Sequence, residues 1–135
     1  MTNKKIGNEF EQELCEKLAE YGFWTHNMAM NKSGQPADII AVRNKQAYLI
    51  DAKVVSTSRG FALNRVEENQ DLAMDLWYER KNGQGWFAFK IVKANEIYMI
   101  PHLIIKSLMC TQATLSPIEI SHMGKSLEQW VKKCK

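Results

Sequence analysis

Cysteine is scarce and scattered. Cys15, Cys110 and Cys134 stand far apart without a Cys-x-x-Cys pair, which supports neither a disulfide framework nor a structural zinc site. His26, His102 and His122 are equally dispersed, so the sequence predicts no histidine-built metal centre and leaves carboxylates as the ligands of any catalytic ion. No apolar run approaches the length that crosses a bilayer, and Met1–Glu9 has no apolar segment of the signal-peptide type. The expectation is a soluble, cytoplasmic protein with no membrane partner. Strong charge of one sign is missing too: eighteen Lys and Arg against fifteen Asp and Glu give +3, a weak pointer to nucleic acid. The distribution says more, because residues 81–135 carry eight basic and three acidic side chains, whereas residues 1–80 carry ten and twelve. The acids are concentrated in the first part of the chain.

What is present is the composition of a folded chain: 135 residues, 45% hydrophobic and 24% charged, enough for one domain with a real core. Residues 7–21 read as an amphipathic helix ended by Gly22. Phe23–Met30 reads as a strand, Asn31–Pro36 as a turn-rich loop, and Ala37–Arg43 and Gln46–Val55 as two β-rich runs joined by Asn44-Lys45. Arg65–Lys81 reads as a second helix, Trp86–Val92 and Ile97–Ile100 as strands, Leu103–Met109 as a short helix, and Leu127–Cys134 as a terminal amphipathic helix. The predicted fold class is α/β, a single domain with a central mixed β-sheet flanked by helices. The core spans about residues 7–100 and a C-terminal helical segment about residues 102–135.

Three acids stand where apolar residues belong. At about 100° per residue, Phe10, Leu14, Leu18 and Tyr21 define the apolar arc of the first helix, and Glu11 falls inside it. An unpaired carboxylate there is costly, unless its head reaches water at the edge of the stripe. If Asn44-Lys45 is a two-residue turn, Arg43 pairs with Gln46, and the continued register puts Asp38 directly opposite Asp51. Like charges so placed destabilise a sheet, and a cation between them removes the objection. Lys53 lies two residues beyond Asp51, on the same face. An end-of-strand turn at Asp38 and an ordinary Asp51–Lys53 ion pair explain each residue singly. Their joint placement with Glu11 among Ile39, Ile40, Val42, Leu49, Ile50 and Val54 points to a functional site. Oxygen ligands of this number suit Mg²⁺ or Mn²⁺. Gln70 is a fourth such position, an amide on the stripe of Val66, Ala73 and Trp77, readable as a polar tie or as part of the site.

Gly7-Asn-Glu-Phe-Glu11, Pro36-Ala-Asp38, Asp51-Ala-Lys53 and Phe61-Ala-Leu-Asn-Arg-Val-Glu-Glu-Asn-Gln70 together resemble the PD-(D/E)xK nuclease superfamily. Within it they resemble the RecU-type Holliday junction resolvases, and more loosely the archaeal junction resolvases. The likeness spans about residues 7–92, and the ordered set is more specific than Asp-x-Lys alone. It implies a restriction-endonuclease-like core, α-β-β-β-α-β, with Glu11, Asp38 and Asp51 as metal-binding acids, Lys53 as the catalytic lysine and Gln70 as the glutamine after the sheet. Two departures stand out. Asp51 occupies a place where these resolvases usually have glutamate, and the short stretch Phe23–Pro36 leaves little room for the projecting stalk of longer RecU-type proteins.

The implied activity is endonucleolytic resolution of four-way DNA junctions in recombination or repair, in a bacterial or phage-infected cell. Mg²⁺ would be held by Asp38, Asp51 and the Ala52 backbone carbonyl, with Glu11 bound directly or through water. Mn²⁺ is a substitute. The resemblance further implies a 5′-phosphate and a 3′-hydroxyl as products, and a homodimer, since two symmetric cuts need two sites. Setting the three acids aside leaves eighteen basic groups against twelve acidic, a balance suited to phosphate contacts. Arg59 and Arg65 near the site, and Lys132, Lys133 and Lys135 on the tail, are the candidate DNA contacts. Cleavage of flapped, otherwise branched or damaged DNA is the alternative within the enzyme class, and an inactive DNA-binding relative the alternative outside it.

Overall fold

Ile6, Phe10, Leu14 and Leu18 recur one helical turn apart and form the inward stripe of α1 (Asn3–Glu20). Ile6 extends that stripe, so the helix starts four residues before the expected Gly7. Gly22, at φ +91°, ends it, and the Phe23 N–H turns back to the Leu18 carbonyl at 3.1 Å. The computed structural model describes residues 3–28 and 37–134. The expected loop Asn31–Pro36, the end of the strand expected to reach Met30, and Lys135 lie outside the described residues.

Among the described residues, six strands build one sheet. They are β1 (Trp24–Asn27), β2 (Ile39–Arg43), β3 (Gln46–Val55), β5 (Trp86–Ile91), β6 (Glu96–Pro101) and β8 (Lys125–Ser126), in the order β1-β2-β3-β5-β6-β8. The pair β3–β5 is parallel and the others are antiparallel, as a chain crossing from β3 to β5 through a helix requires. Asn44 and Lys45 take positive φ, 51° and 66°, so the hairpin is the tight two-residue type whose twist matches its strands. Its register runs from Arg43 opposite Gln46 to Ile39 opposite Ile50.

Two hydrophobic layers cover the sheet. On one face α1 and α5 (Leu127–Lys133) bury Phe10, Leu14 and Trp130 against Ile39, Ile50 and Ala88. On the other, α2 (Glu68–Glu79), α3 (His102–Met109) and α4 (Pro117–Met123) cover Leu49, Phe87, Phe89 and Ile100.

Three further expectations change. The second helix begins at Glu68, not Arg65, because Phe61–Ala62 forms β4, paired with β7 (Thr114–Leu115), and Leu63–Arg65 forms a 3₁₀ turn. The Glu67 N–H then donates to Gln70 Oε1 at 3.4 Å, a bond from the residue before the helix into its first turn. The segment after His102 is not purely helical, since β7 and β8 interrupt it and β8 extends the main sheet. Asp38 is also not a ladder residue: β2 starts at Ile39, and the Asp38 N–H donates to the Ile50 carbonyl at 3.1 Å. The backbone steps out of register there, and the Asp38 carboxylate accepts from the Ala52 N–H at 2.8 Å. A short acceptor side chain thus satisfies an amide that the ladder has left.

Candidate active site

Asp51 is fully buried in the middle of the sheet, and its two carboxylate oxygens see different partners. Oδ1 accepts from Gln70 Nε2 at 2.9 Å. Oδ2 lies 3.0 Å from the Lys53 ammonium, yet no donor is aligned on it. Gln70 is held at its other end, where Oε1 faces Lys53 Nζ and the Glu67 N–H, each at 3.4 Å. Its amide is therefore oriented: oxygen toward the lysine, nitrogen toward Asp51. The polar position on the apolar stripe of α2 is a tie between helix and sheet.

Glu11 arrives from α1 on the other face and is 8% exposed. It shares a hydrogen bond with Asp38, so the carboxyls of Glu11, Asp38 and Asp51 meet beside Lys53. Burial first, and then the Asp38 charge and hydrogen bond, push Glu11 up to about 8 against the opposite pull of Lys53. Burial and then Asp38 likewise raise Asp51 well above the usual carboxylate range. The structure thus brings together Glu11, Asp38, Asp51, Lys53 and Gln70. Three acids repelling one another around one lysine, with a buried oxygen lacking an aligned donor, fit a divalent cation.

The basic candidates divide. Arg59 is exposed on the loop after β3, and Arg65 is exposed with its guanidinium 5.0 Å from the centre of the Phe61 ring. Arg65 lines a groove with Ile6, Val54 and Ser56 at the end of β3. Lys132 and Lys133 sit on α5, which packs on the opposite sheet face from Lys53 and Gln70, and Lys132 is paired with Glu128 at 3.4 Å.

One cluster escaped the sequence reading. His102, 1% exposed, has Nε2 2.6 Å from Asp71 Oδ1, and Lys106 Nζ reaches Asp71 at 3.1 Å and Asp75 at 2.7 Å. Ligand atoms of Asp71, Asp75 and His102 lie within 4.8 Å of one another, so this histidine does join two acids in metal-ligand spacing, contrary to the expectation from its isolation in the sequence. Burial pushes Asp71 up, but hydrogen bonds to His102 and Lys106 outweigh it and hold the carboxyl below its usual value. The Lys106 ammonium already serves this pair as its cation. The spacing of Asp71 and Asp75 by one helical turn was the available signal.

Helical layers on a mixed sheet, with acids, a lysine and an oriented glutamine meeting beside a central hairpin, form the arrangement of a nuclease. The sequence matches the archaeal Holliday junction resolvase (Hjc) family over residues 2–132, and the chain belongs to that family. Among solved structures it is similar to the Hjc Holliday junction resolvase of the archaeal hyperthermophile Archaeoglobus fulgidus. That match has a TM-score of 0.66 and 14% identity, and covers 96% of this chain and 98% of that one. No curated protein sequence matches. Of the two resolvase types that the motifs resemble, the match is to the archaeal type and not to RecU.

Proposed function

We propose that this protein is a divalent-metal-dependent endonuclease that resolves four-way DNA junctions through the Glu11, Asp38, Asp51, Lys53 and Gln70 cluster. The observation that carries the site is the buried Asp51 carboxylate, fixed by Gln70 on one oxygen and left without an aligned donor on the other. Asp38, Asp51, the Ala52 carbonyl and Glu11 would hold Mg²⁺ or Mn²⁺. Bound there, the ion supplies charge for the scissile phosphate and lowers the pKa of a water. Gln70 and the Ala52 amide hold the two aspartates in place. Lys53, whose ammonium lies 3.0 Å from Asp51 Oδ2, would orient or deprotonate the attacking water, or stabilise the charge that develops on the phosphate. The products of this chemistry are a 5′-phosphate and a 3′-hydroxyl.

The acting unit in this reading is a homodimer, since one protomer offers one such cluster and resolution requires two incisions. Leu72 and Leu76 lie one turn apart on α2, 57% and 50% exposed, and supply an apolar face for a second copy. Arg59 and Arg65 contact phosphates beside the site, and the lysines of α5 contribute at longer range. A cytoplasmic setting follows from the substrate, and the family is archaeal where the RecU likeness implied a bacterial or phage-infected cell. Among the described residues no helix is long and apolar enough to cross a membrane.

Labelled four-way junction, flap, single strand and duplex, offered with Mg²⁺ or with a chelator, test this reading. Paired incision of the junction in Mg²⁺ alone is expected. Equal cutting of flaps and junctions would move the protein to the broader class of branched-DNA nucleases, and binding without cutting would make it an inactive relative.

A further inference from the structure

Trp24 is 63% exposed, and its indole stacks on the His26 ring with 10° between the planes and 6.1 Å between centroids. Both residues belong to β1, one of the two edge strands of the sheet among the described residues, where alternation puts them on one face. Register identifies which face it is. Trp24 lies opposite Val42 and His26 opposite Ile40, and Ile40 in turn lies opposite Leu49, two residues before Asp51. The aromatic pair therefore shares its sheet face with Asp51 and Lys53, whereas Thr25 faces the other way. β1 also leads to the site, since the Met28 N–H donates to the Asp38 carbonyl at 2.8 Å. Counting back along the strand, His26 stands about 7 Å and Trp24 about 13 Å from that bond.

A flat, exposed aromatic pair beside a phosphodiester-cleaving site has a natural partner in a junction. Inside a duplex every base face is covered by its neighbour. At an opened branch point each arm ends in a base pair with one uncovered face, and an indole covers such a face without regard to sequence. We propose that Trp24, backed by His26, is the platform on which the terminal base pair at the branch stacks, and that this contact separates junction from duplex. The proposal rests on the resolvase reading above. It assigns shape selectivity to an element other than the phosphate contacts of Arg59 and Arg65, which a duplex satisfies equally well.

The test measures binding, in Ca²⁺ without cleavage, of a four-way junction and a matched duplex to the parent, Trp24→Ala, Trp24→Phe and His26→Ala proteins. Junctions carry 2-aminopurine either at the branch or within an arm. Parent protein should change the fluorescence of the branch probe and not of the arm probe. Trp24→Ala should lose about 5-fold to 150-fold in junction affinity, the range for one stacked base, with duplex affinity within about twofold of the parent. Trp24→Phe should recover most of the loss, and His26→Ala should lose less than Trp24→Ala. In Mg²⁺, Trp24→Ala should cut at scattered positions around the branch. Circular dichroism and melting curves confirm that each variant is folded. A Trp24→Ala protein as junction-selective as its parent overturns the proposal and leaves the resolvase reading standing. So does a variant that sediments as a monomer where the parent is a dimer, since the face then belongs to the second copy. A parent that neither prefers nor cuts the junction overturns both.

Discussion

Gln70 donates its side-chain N–H to Asp51 Oδ1 at 2.9 Å, and both side chains are buried. Because this bond fixes which Asp51 oxygen faces the Lys53 ammonium, at 3.0 Å, it ties the folding of α2 onto the sheet to the geometry of the site. Gln70→Ala leaves a buried carboxylate oxygen without its donor, and the expected cost is about 1–3 kcal/mol of stability, read by urea unfolding. Cleavage should fall by at least about tenfold at saturating Mg²⁺, through misplacement of Asp51. Gln70→Glu adds a fourth carboxylate and should destabilise the protein further as pH rises. A Gln70→Ala protein with parental stability and rate would show that the bond has neither role.

Glu11 gives the protein a pH dependence opposite to that of ordinary salt-bridged acids. Its carboxyl is pushed up to about 8 in the fold from an ordinary 4.5, so between those values the folded state holds a proton that the unfolded chain has released. The stabilisation is full below about pH 4.5 and is lost as pH rises to about 8. Without metal, melting temperature should fall across that window by about 5–8 °C, on the order of 2 kcal/mol after solvent screening. Glu11→Gln should make the fall shallower without abolishing it, because the Asp51 carboxyl, also raised, still contributes. Mg²⁺ should raise the melting temperature more at pH 8 than at pH 6, because at the lower pH it competes with the proton. A metal-free profile rising from pH 5 to pH 8 would contradict this placement of the charge.

The residues behind these two predictions were legible because they violate a local pattern. Glu11 and Gln70 each sit on an apolar helical stripe, and Asp51 and Lys53 interrupt a strand that is apolar on both faces. The hairpin was legible because Asn44 and Lys45 separate two β-rich runs by two residues, and its register followed from that turn. What was not legible depends on contacts distant in sequence. Nothing in Phe61–Ala62 announces Thr114–Leu115 as a partner, so the start of α2 was misplaced. His102 looked isolated until α3 was packed beside α2. The step at Asp38 arises from its own bond to the Ala52 amide, which periodicity cannot express. The capping box Ser116-Pro-Ile-Glu119 that starts α4 went unread, although its spacing is local.

The two acid clusters give a third prediction. Asp51→Asn and Lys53→Ala should each lower junction cleavage by at least about a hundredfold, the scale for removing a preorganised charged group from such a site. Junction affinity should hardly change, because it derives mainly from basic groups on phosphates. Asp71→Asn and Asp75→Asn should instead leave Mg²⁺-dependent cleavage within about threefold of the parent; Asp71→Asn should lower stability by about 1–3 kcal/mol, since it weakens the tie to buried His102, and Asp75→Asn by less than about 1 kcal/mol, since its Lys106 partner is partly exposed. Single-turnover cleavage of a labelled junction, beside thermal melts, separates the two sets. Loss of cleavage in a stable Asp75→Asn protein would transfer the metal to the α2–α3 cluster.

Position on the sheet also ranks the basic residues. Arg59 and Arg65 are exposed on the segment that leads from β3 into α2, beside the site, and Arg65 is held over the Phe61 ring. Lys132 and Lys133 lie on α5 behind the sheet, and Lys132 is already engaged with Glu128. The arginines should therefore carry local phosphate contacts that the tail lysines do not replace. Arg59→Ala with Arg65→Ala should weaken junction binding and flatten the slope of log affinity against log salt by about 2, one unit per lost phosphate contact. Duplex binding should weaken to a similar extent, since phosphate contacts carry no information about branching. Lys132→Ala with Lys133→Ala should change the slope by less than about half a unit. Fluorescence anisotropy titrations across a salt series measure both. A larger slope change from the lysine pair would place the DNA on the α5 face, away from Asp51, and would reverse the assigned polarity of the molecule.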